Sequence, residues 1–136
     1  MVTVQEKVRF VETDMMGVVH HSNFFRWFEM GRVEYLRQAG ILLKELMGDG
    51  IVFPMTHVDC QYRSPARFDD VILIEAILEE VSSVKMVFTY KVLRKEDGVL
   101  LATGSTQNVF TDQNGKIIRL SGKYYDKLKK SHEGKK

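Results

Sequence analysis

Residues 22–40 read SNFFRWFEMGRVEYLRQAG and carry the longest helical pattern in the chain. At 100° per residue the pattern has one apolar face, which includes Phe24, Phe28, Tyr35 and Ala39. Ser22 is a favoured N-cap residue and Gly40 a favoured C-terminal cap, so the helix is expected to lie between them. Gly31 shares the apolar face, where the lack of a side chain would allow close approach to a sheet or a partner.

The sequence on either side of this helix alternates between apolar and polar residues, as half-buried strands do. The expected elements are strands at 2–11, 51–63, 71–81, 84–93 and 99–111, and short helices at 41–47 and 124–130. Asp97-Gly98 provides a hairpin signal, and short connections favour antiparallel pairing. The pattern predicts an α+β fold in which a five-stranded antiparallel sheet wraps around one long central helix.

Composition limits the class of protein. The 136 residues fit a single domain, placed at 1–130, with a flexible basic tail at 131–136. A net charge of +2 gives no reason to expect a nucleic-acid partner, and the single cysteine, Cys60, cannot form an intramolecular disulfide. Residues 2–10 lack the apolar core of a signal peptide, and no run is long enough for a membrane span. We expect a soluble, cytoplasmic protein.

Residues 12–25, which read ETDMMGVVHHSNFF, contain the candidate catalytic residues. They place the carboxylate of Asp14, a turn at Gly17 and two histidines just before the long helix. A carboxylate can activate water, and the N–H groups at a helix start can bind a developing negative charge. This combination predicts acyl transfer to water, although Asp14 would also suit a purely structural turn.

A metal site formed by Asp14, His20 and His21 is the sharpest competing interpretation. Adjacent histidines rarely converge on one ion, and no third imidazole or thiolate lies near them in the sequence. We therefore expect no metal.

Four segments together resemble a known family: DMMGVVHHSN at 14–23, FE at 28–29, RVEYLR at 32–37 and YRSPARFDD at 62–70. They are similar to the hotdog-fold acyl-CoA thioesterases of the 4-hydroxybenzoyl-CoA thioesterase-like group. The similarity is greatest to the bacterial branch associated with the Tol-Pal system. The resemblance implies a hotdog fold, dimers commonly paired into tetramers, an active site at the dimer interface, and no metal or other cofactor.

The resemblance also implies roles for individual residues. Asp14 matches the catalytic carboxylate, and the backbone N–H of His21 matches the group that points at the thioester carbonyl. Members of the Tol-Pal-associated branch count the histidine at the His21 position as catalytic. They usually have a tyrosine where this chain has His20. A glutamate-centred branch carries its carboxylate on the helix, where Glu29 and Glu34 are the counterparts, and we rank both below Asp14.

Several roles stay open on sequence alone. His21 could act through its backbone N–H, through its imidazole, or only as a helix cap. Asn23 either orients a site residue or serves the first helical turn. Gly17, Val18 and Asn23 are predicted to line the substrate site.

The basic segment at the end of the second predicted strand is a candidate for the coenzyme A phosphates. Arg63, Ser64 and Arg67 surround a proline there, and guanidinium groups are well suited to phosphate. The alternative is an ordinary exposed basic loop.

The predicted function is hydrolysis of acyl-CoA to free acid and coenzyme A in a site shared between subunits. Asp14 would act as general base, or as nucleophile through a transient anhydride, with the oxyanion site near His21. A thioesterase acting on acyl carrier protein and a non-catalytic acyl-CoA-binding regulator are the alternatives. Long exposed sheet edges favour a homodimer or homotetramer.

Overall fold

A computed structural model of the chain describes residues 1–134. Its elements are β1 (Val2–Lys7), a 3-10 turn (Phe10–Glu12), α1 (Ser22–Gln38), α2 (Leu43–Gly48), β2 (Met55–Tyr62), β3 (Val71–Val81), β4 (Lys85–Arg94), β5 (Leu100–Val109) and α3 (Gly122–Glu133). The predicted order of strands and helices is confirmed.

The five strands form one antiparallel sheet in the order β1-β3-β4-β5-β2. In this register Val4 lies opposite Ile74, and Ala76 lies opposite Tyr90. The predicted five-stranded antiparallel sheet is therefore confirmed, with β1 and β2 at its two edges. How far the sheet curves around α1 stays a prediction.

The core lies between the inner face of the sheet and α1. Alternate residues of β3 and β4 are buried on this face: Ile72, Ile74, Ala76, Leu78, Met86, Phe88, Tyr90 and Val92. Helix α1 covers them with Trp27, Phe28, Tyr35 and Leu36, all of which are buried. The alternation in the strands and the helical spacing in α1 thus direct their apolar side chains to one shared interior.

Two glycines set the spacing between helix and sheet. A Cβ added at Gly31 would lie 3.1 Å from the Ala76 Cβ and 3.2 Å from the Ile74 Cγ2. A Cβ added at Gly104 would lie 2.6 Å from both the Phe28 Cζ and the Asp59 carbonyl oxygen. Gly31 thus allows α1 to approach the sheet closely.

The boundaries of some elements differ from the sequence prediction. The strand expected at 51–63 starts only at Met55, since Pro54 has no N–H to donate to a ladder. Ser22 is the first residue of α1, and His21 occupies the cap position in its place. The strand expected to end near residue 11 ends at Lys7, because the chain turns into the 3-10 segment.

Edge strand β2 is exposed on both faces, with Cys60 the one partly buried residue in it. The other strands each bury one face. An edge strand with a free row of N–H and C=O groups can pair with another chain.

Helix α3 extends beyond its predicted range and includes residues 131–133, which the sequence predicts as part of the tail. Lys135 and Lys136 lie outside the described residues, and the domain boundary at 130 stays a prediction. None of the helices within residues 1–134 has the length and apolar character needed to cross a bilayer.

Replacing Gly104 with alanine tests the close contact between α1 and β5. The added methyl group would overlap the Phe28 ring and the Asp59 carbonyl, so we expect destabilisation of about 1–3 kcal/mol, measured by denaturant unfolding. Gly48→Ala, at the end of α2 with no atom within 4 Å of the new methyl, is the control and should cost nothing. Equal stability of the two variants would contradict this account of the packing.

Candidate active site

Asp14 lies in a tight turn before α1. Its N–H donates to the Val18 carbonyl at 2.8 Å, and the Gly17 N–H donates to the Asp14 carbonyl at 3.1 Å. Gly17 has φ of 78°, a conformation that glycine adopts without strain. The Asp14 Oδ1 accepts the Met16 N–H at 2.8 Å, so the turn itself fixes the orientation of an exposed carboxylate.

Backbone bonds tie this turn to two other segments. The Val19 N–H donates to the Ala66 carbonyl at 2.8 Å, and Val18 forms an isolated bridge with Arg67. The His20 N–H donates to the Glu12 carbonyl at 2.8 Å. The turn is therefore held against the loop that follows β2 and against the 3-10 segment.

The first turn of α1 presents a free amide. Within residues 1–134 the backbone N–H of His21 donates no hydrogen bond, and the imidazole makes no capping bond. The His21 carbonyl accepts the Tyr62 hydroxyl at 3.1 Å and the Phe24 N–H at 3.2 Å. A free N–H at the start of a long helix is a favourable place for negative charge.

A cavity of about 300 Å³ lies beside this helix start. It is lined by Val18, Val19, His21, Phe24, Tyr62, Arg63, Ser64, Pro65 and Ala66. Four residues predicted from sequence (Val18, His21, Arg63 and Ser64) are thus brought together.

The other predicted residues lie close to the cavity but do not line it. Asp14 and Gly17 lie in the adjoining turn, and Arg67 follows the lining loop, where its N–H donates to the Asp70 Oδ2 at 2.9 Å. The buried Asn23 gives its side-chain amide to the backbone.

Tyr62 is a cavity residue to which the sequence analysis assigned no role, although it begins the segment at 62–70 that resembles the family. Desolvation raises its pKa to about 12, so the phenol stays neutral and can donate to the His21 carbonyl near neutral pH. Its ring packs edge-on against Phe24, with 5.2 Å between ring centroids. Its position immediately before Arg63, at the end of a strand, was the available signal.

Arg94, the last residue of β4, bonds to the loop after β2 that lines the cavity. Its Nη2 donates to the Pro65 carbonyl at 2.8 Å, and its Nε lies 3.2 Å from the Asp70 Oδ2. A further bond to Asp97 and the bond to Asp70 raise the pKa of the guanidinium. This role could not be predicted from sequence, because Asp70 and Pro65 lie 24 and 29 residues away from Arg94 along the chain.

His20, Glu29 and Glu34, the other candidates for a catalytic role, make different contacts or lie farther along the helix. His20 accepts the Ser22 N–H at its Nδ1, at 3.3 Å, so this ring serves the helix start. Glu29 and Glu34 lie about 12 Å and about 20 Å along the helix from His21. Glu34 accepts the Gln38 side-chain amide at 3.1 Å. The Asp14 carboxylate lies in the turn that ends at Val18, four residues before Ser22 begins α1. Residues 1–134 contain no group of three or more potential metal ligands.

The arrangement combines an oriented carboxylate, a free helix-start N–H and an adjacent cavity. A carboxylate can take a proton from water, and the N–H can stabilise an oxyanion. These groups suit the attack of water on a carbonyl carbon.

Comparison with known proteins gives consistent matches. The family model of the thioesterase-like superfamily matches residues 8–130 of this chain. A 1,4-dihydroxy-2-naphthoyl-CoA hydrolase of Prochlorococcus marinus is 32% identical over 110 residues, covering 75% of this chain and 72% of the relative. The acyl-CoA thioester hydrolase YbgC of Escherichia coli O157:H7 is 29% identical over 94 residues, covering 69% and 70%.

Solved structures agree. A hypothetical protein from Thermus thermophilus superposes with a TM-score of 0.90 at 36% identity, covering 96% of this chain and 98% of that one.

Proposed function

The chain belongs to the thioesterase-like superfamily and is a thioester hydrolase, and from this premise we propose that it cleaves acyl-CoA to free acid and coenzyme A. The observation that carries the proposal is the free His21 N–H, which opens α1 beside the 300 Å³ cavity. A thioester carbonyl seated there would receive a hydrogen bond that strengthens as its oxygen becomes negative.

Asp14 is the proposed catalytic group. As general base, its carboxylate takes a proton from water while the water oxygen attacks the thioester carbonyl carbon. The C–S bond then breaks, its electron pair leaves with sulfur, and the proton passes to the thiolate. As nucleophile, the carboxylate itself attacks the carbonyl carbon, the C–S bond breaks and the thiolate leaves, and water later hydrolyses the resulting anhydride to free acid and the Asp14 carboxylate. Thiolate is a good leaving group, so no serine triad is needed.

The proposed site is shared between protomers of a homodimer, paired into a tetramer. Two observations support this. Strand β2 is an exposed edge that ends at the cavity residue Tyr62. Met15 and Met16, beside Asp14, are 104% and 79% exposed, and large apolar side chains are rarely left so open without a partner. A second copy would cover both regions.

Arg63, Ser64 and Arg67 are the proposed contacts for the coenzyme A phosphates. Two of them line the cavity, and Arg67 follows three residues after Ser64. Within residues 1–134 neither guanidinium takes part in an ion pair. The Arg63 Nη2 donates to the Gln61 Oε1 at 2.7 Å, and both guanidinium groups keep further N–H donors for an anion.

Two finer assignments belong to the same proposal. The motif at 14–23 supports placement in the Tol-Pal-associated branch. The single cysteine, Cys60, supports a reducing, cytoplasmic location.

Replacing Asp14 with asparagine tests the catalytic carboxylate. Asparagine keeps an oxygen that can accept the Met16 N–H, so the turn should persist, whereas hydrolysis should fall about 10²–10⁴-fold. Free thiol release measures turnover. Asp112→Asn is the matched control, since Asp112 also accepts a turn N–H, from Asn114 at 2.9 Å, and should keep full activity. Near wild-type turnover in Asp14→Asn would exclude the proposed role.

Replacing His21 with alanine separates the backbone role from the imidazole role. We expect the variant to keep kcat within about tenfold of wild type, since alanine retains the N–H that stabilises the oxyanion. Steady-state kinetics on one acyl-CoA is sufficient. A loss comparable to that of Asp14→Asn would assign the chemistry to the imidazole.

The double variant Arg63→Ala/Arg67→Ala tests the phosphate contacts. Loss of two charged hydrogen-bond donors should raise KM for acyl-CoA about tenfold or more. KM for the same acyl group on pantetheine, which lacks the nucleotide phosphates, should not change. Arg119→Ala, an exposed arginine away from the cavity, is the control. An equal rise with both substrates would refute the phosphate role.

A further inference from the structure

We infer that Asn23 is a positioning residue that orients the His21 N–H and strengthens it as a hydrogen-bond donor. The inference rests on the proposed function, in which that N–H stabilises the oxyanion.

The relevant group is the peptide unit that joins His20 to His21. Its carbonyl oxygen accepts two hydrogen bonds from one residue, the Asn23 N–H at 3.0 Å and the Asn23 side-chain Nδ2 at 3.2 Å. The N–H of the same unit is the free donor beside the cavity. Donors at one end of an amide polarise it and make its own N–H a stronger donor.

The Asn23 side chain also fixes where this peptide unit points. Its Nδ2 donates to the Glu12 carbonyl at 3.0 Å, and that carbonyl accepts the His20 N–H at 2.8 Å. The side chain is 6% exposed, so it has little freedom to leave these partners. One side-chain amide group thereby joins Glu12, His20 and the first turn of α1.

The hydrogen bonds from the Asn23 side chain are not needed to satisfy the backbone carbonyl groups. Without the side chain, the His20 carbonyl would keep the Asn23 N–H and the Glu12 carbonyl would keep the His20 N–H. No buried carbonyl would be left without a donor, so removing the amide should be tolerated by the fold. The arrangement is better explained by the orientation of the His21 N–H than by satisfaction of buried groups.

The inference predicts a loss in kcat rather than in substrate affinity. A donor that is misdirected or weakened stabilises the transition state less, while the ground-state contacts that bind acyl-CoA remain. We expect Asn23→Ala to lower kcat about tenfold to a hundredfold with little change in KM. Asn23→Ser should recover much of this loss, because a serine hydroxyl can donate to the carbonyl three residues earlier.

Asn108→Ala is the matched control. Asn108 is also buried, and its Nδ2 donates to the Phe53 carbonyl at 2.8 Å, outside the cavity. Both alanine variants should lose some stability, but Asn108→Ala should keep wild-type kcat per folded molecule. If Asn23→Ala does not fold, Asn23→Leu provides a neutral side chain of similar size that cannot donate. Wild-type kcat in a folded Asn23 variant that lacks the donor would overturn the inference.

A second readout does not depend on hydrolysis. Loss of the bond to the His20 carbonyl should weaken the polarisation of this peptide unit, so the His21 amide ¹⁵N resonance should move upfield in a ¹H–¹⁵N spectrum and its hydrogen exchange should slow relative to wild type. Asn108→Ala should leave that resonance in place. An unmoved His21 resonance in Asn23→Ala would refute the positioning role. Absence of acyl-CoA hydrolysis in the wild-type protein would instead refute the proposed function, so the two failures are distinguishable.

Discussion

Helix α1 lies close to the sheet because two of the positions between them have no side chain. Gly31 removes a methyl group on the helix side and Gly104 removes one on the strand side, where the Phe28 ring takes the space. This contact carries the N-terminal end of the helix to the end of β2, where Tyr62 donates to the His21 carbonyl. The candidate site is therefore assembled by the same packing that closes the core.

The sequence predicted those parts of the fold that depend on local periodicity. The range of β3 matches the strand expected at 71–81, and alternating burial extends from Val71 to Leu78, where the register with β4 shifts. The strand expected at 51–63 starts later, at Met55, because Pro54 has no N–H and interrupts the ladder, which resumes only as an isolated bridge between Val52 and Thr111. Helix α1 was predicted within two residues at its end, since its apolar face and the left-handed Gly40 after Ala39 mark its extent, although His21 and not Ser22 is the N-cap.

The site was only partly predictable, because it depends on contacts between distant segments. Arg32 shows the difficulty: it reads as a surface helix residue, yet it is 6% exposed and its Nη1 donates to the Tyr90 hydroxyl at 3.3 Å. Arg94 and Tyr62 likewise gain their roles from sheet register and loop packing. Asp14 and His21 could be proposed from sequence because their motif is contiguous and can be recognised without the fold.

The turn that holds Asp14 makes its two carboxylate oxygens inequivalent. Oδ1 accepts the Met16 N–H, whereas Oδ2 has no hydrogen-bond partner among the side chains and backbone of residues 1–134. An incoming water would thus meet one basic atom, presented on one side of the turn. The Met16 amide would then decide which face of the planar carbonyl the water attacks. That amide itself takes no part in proton transfer.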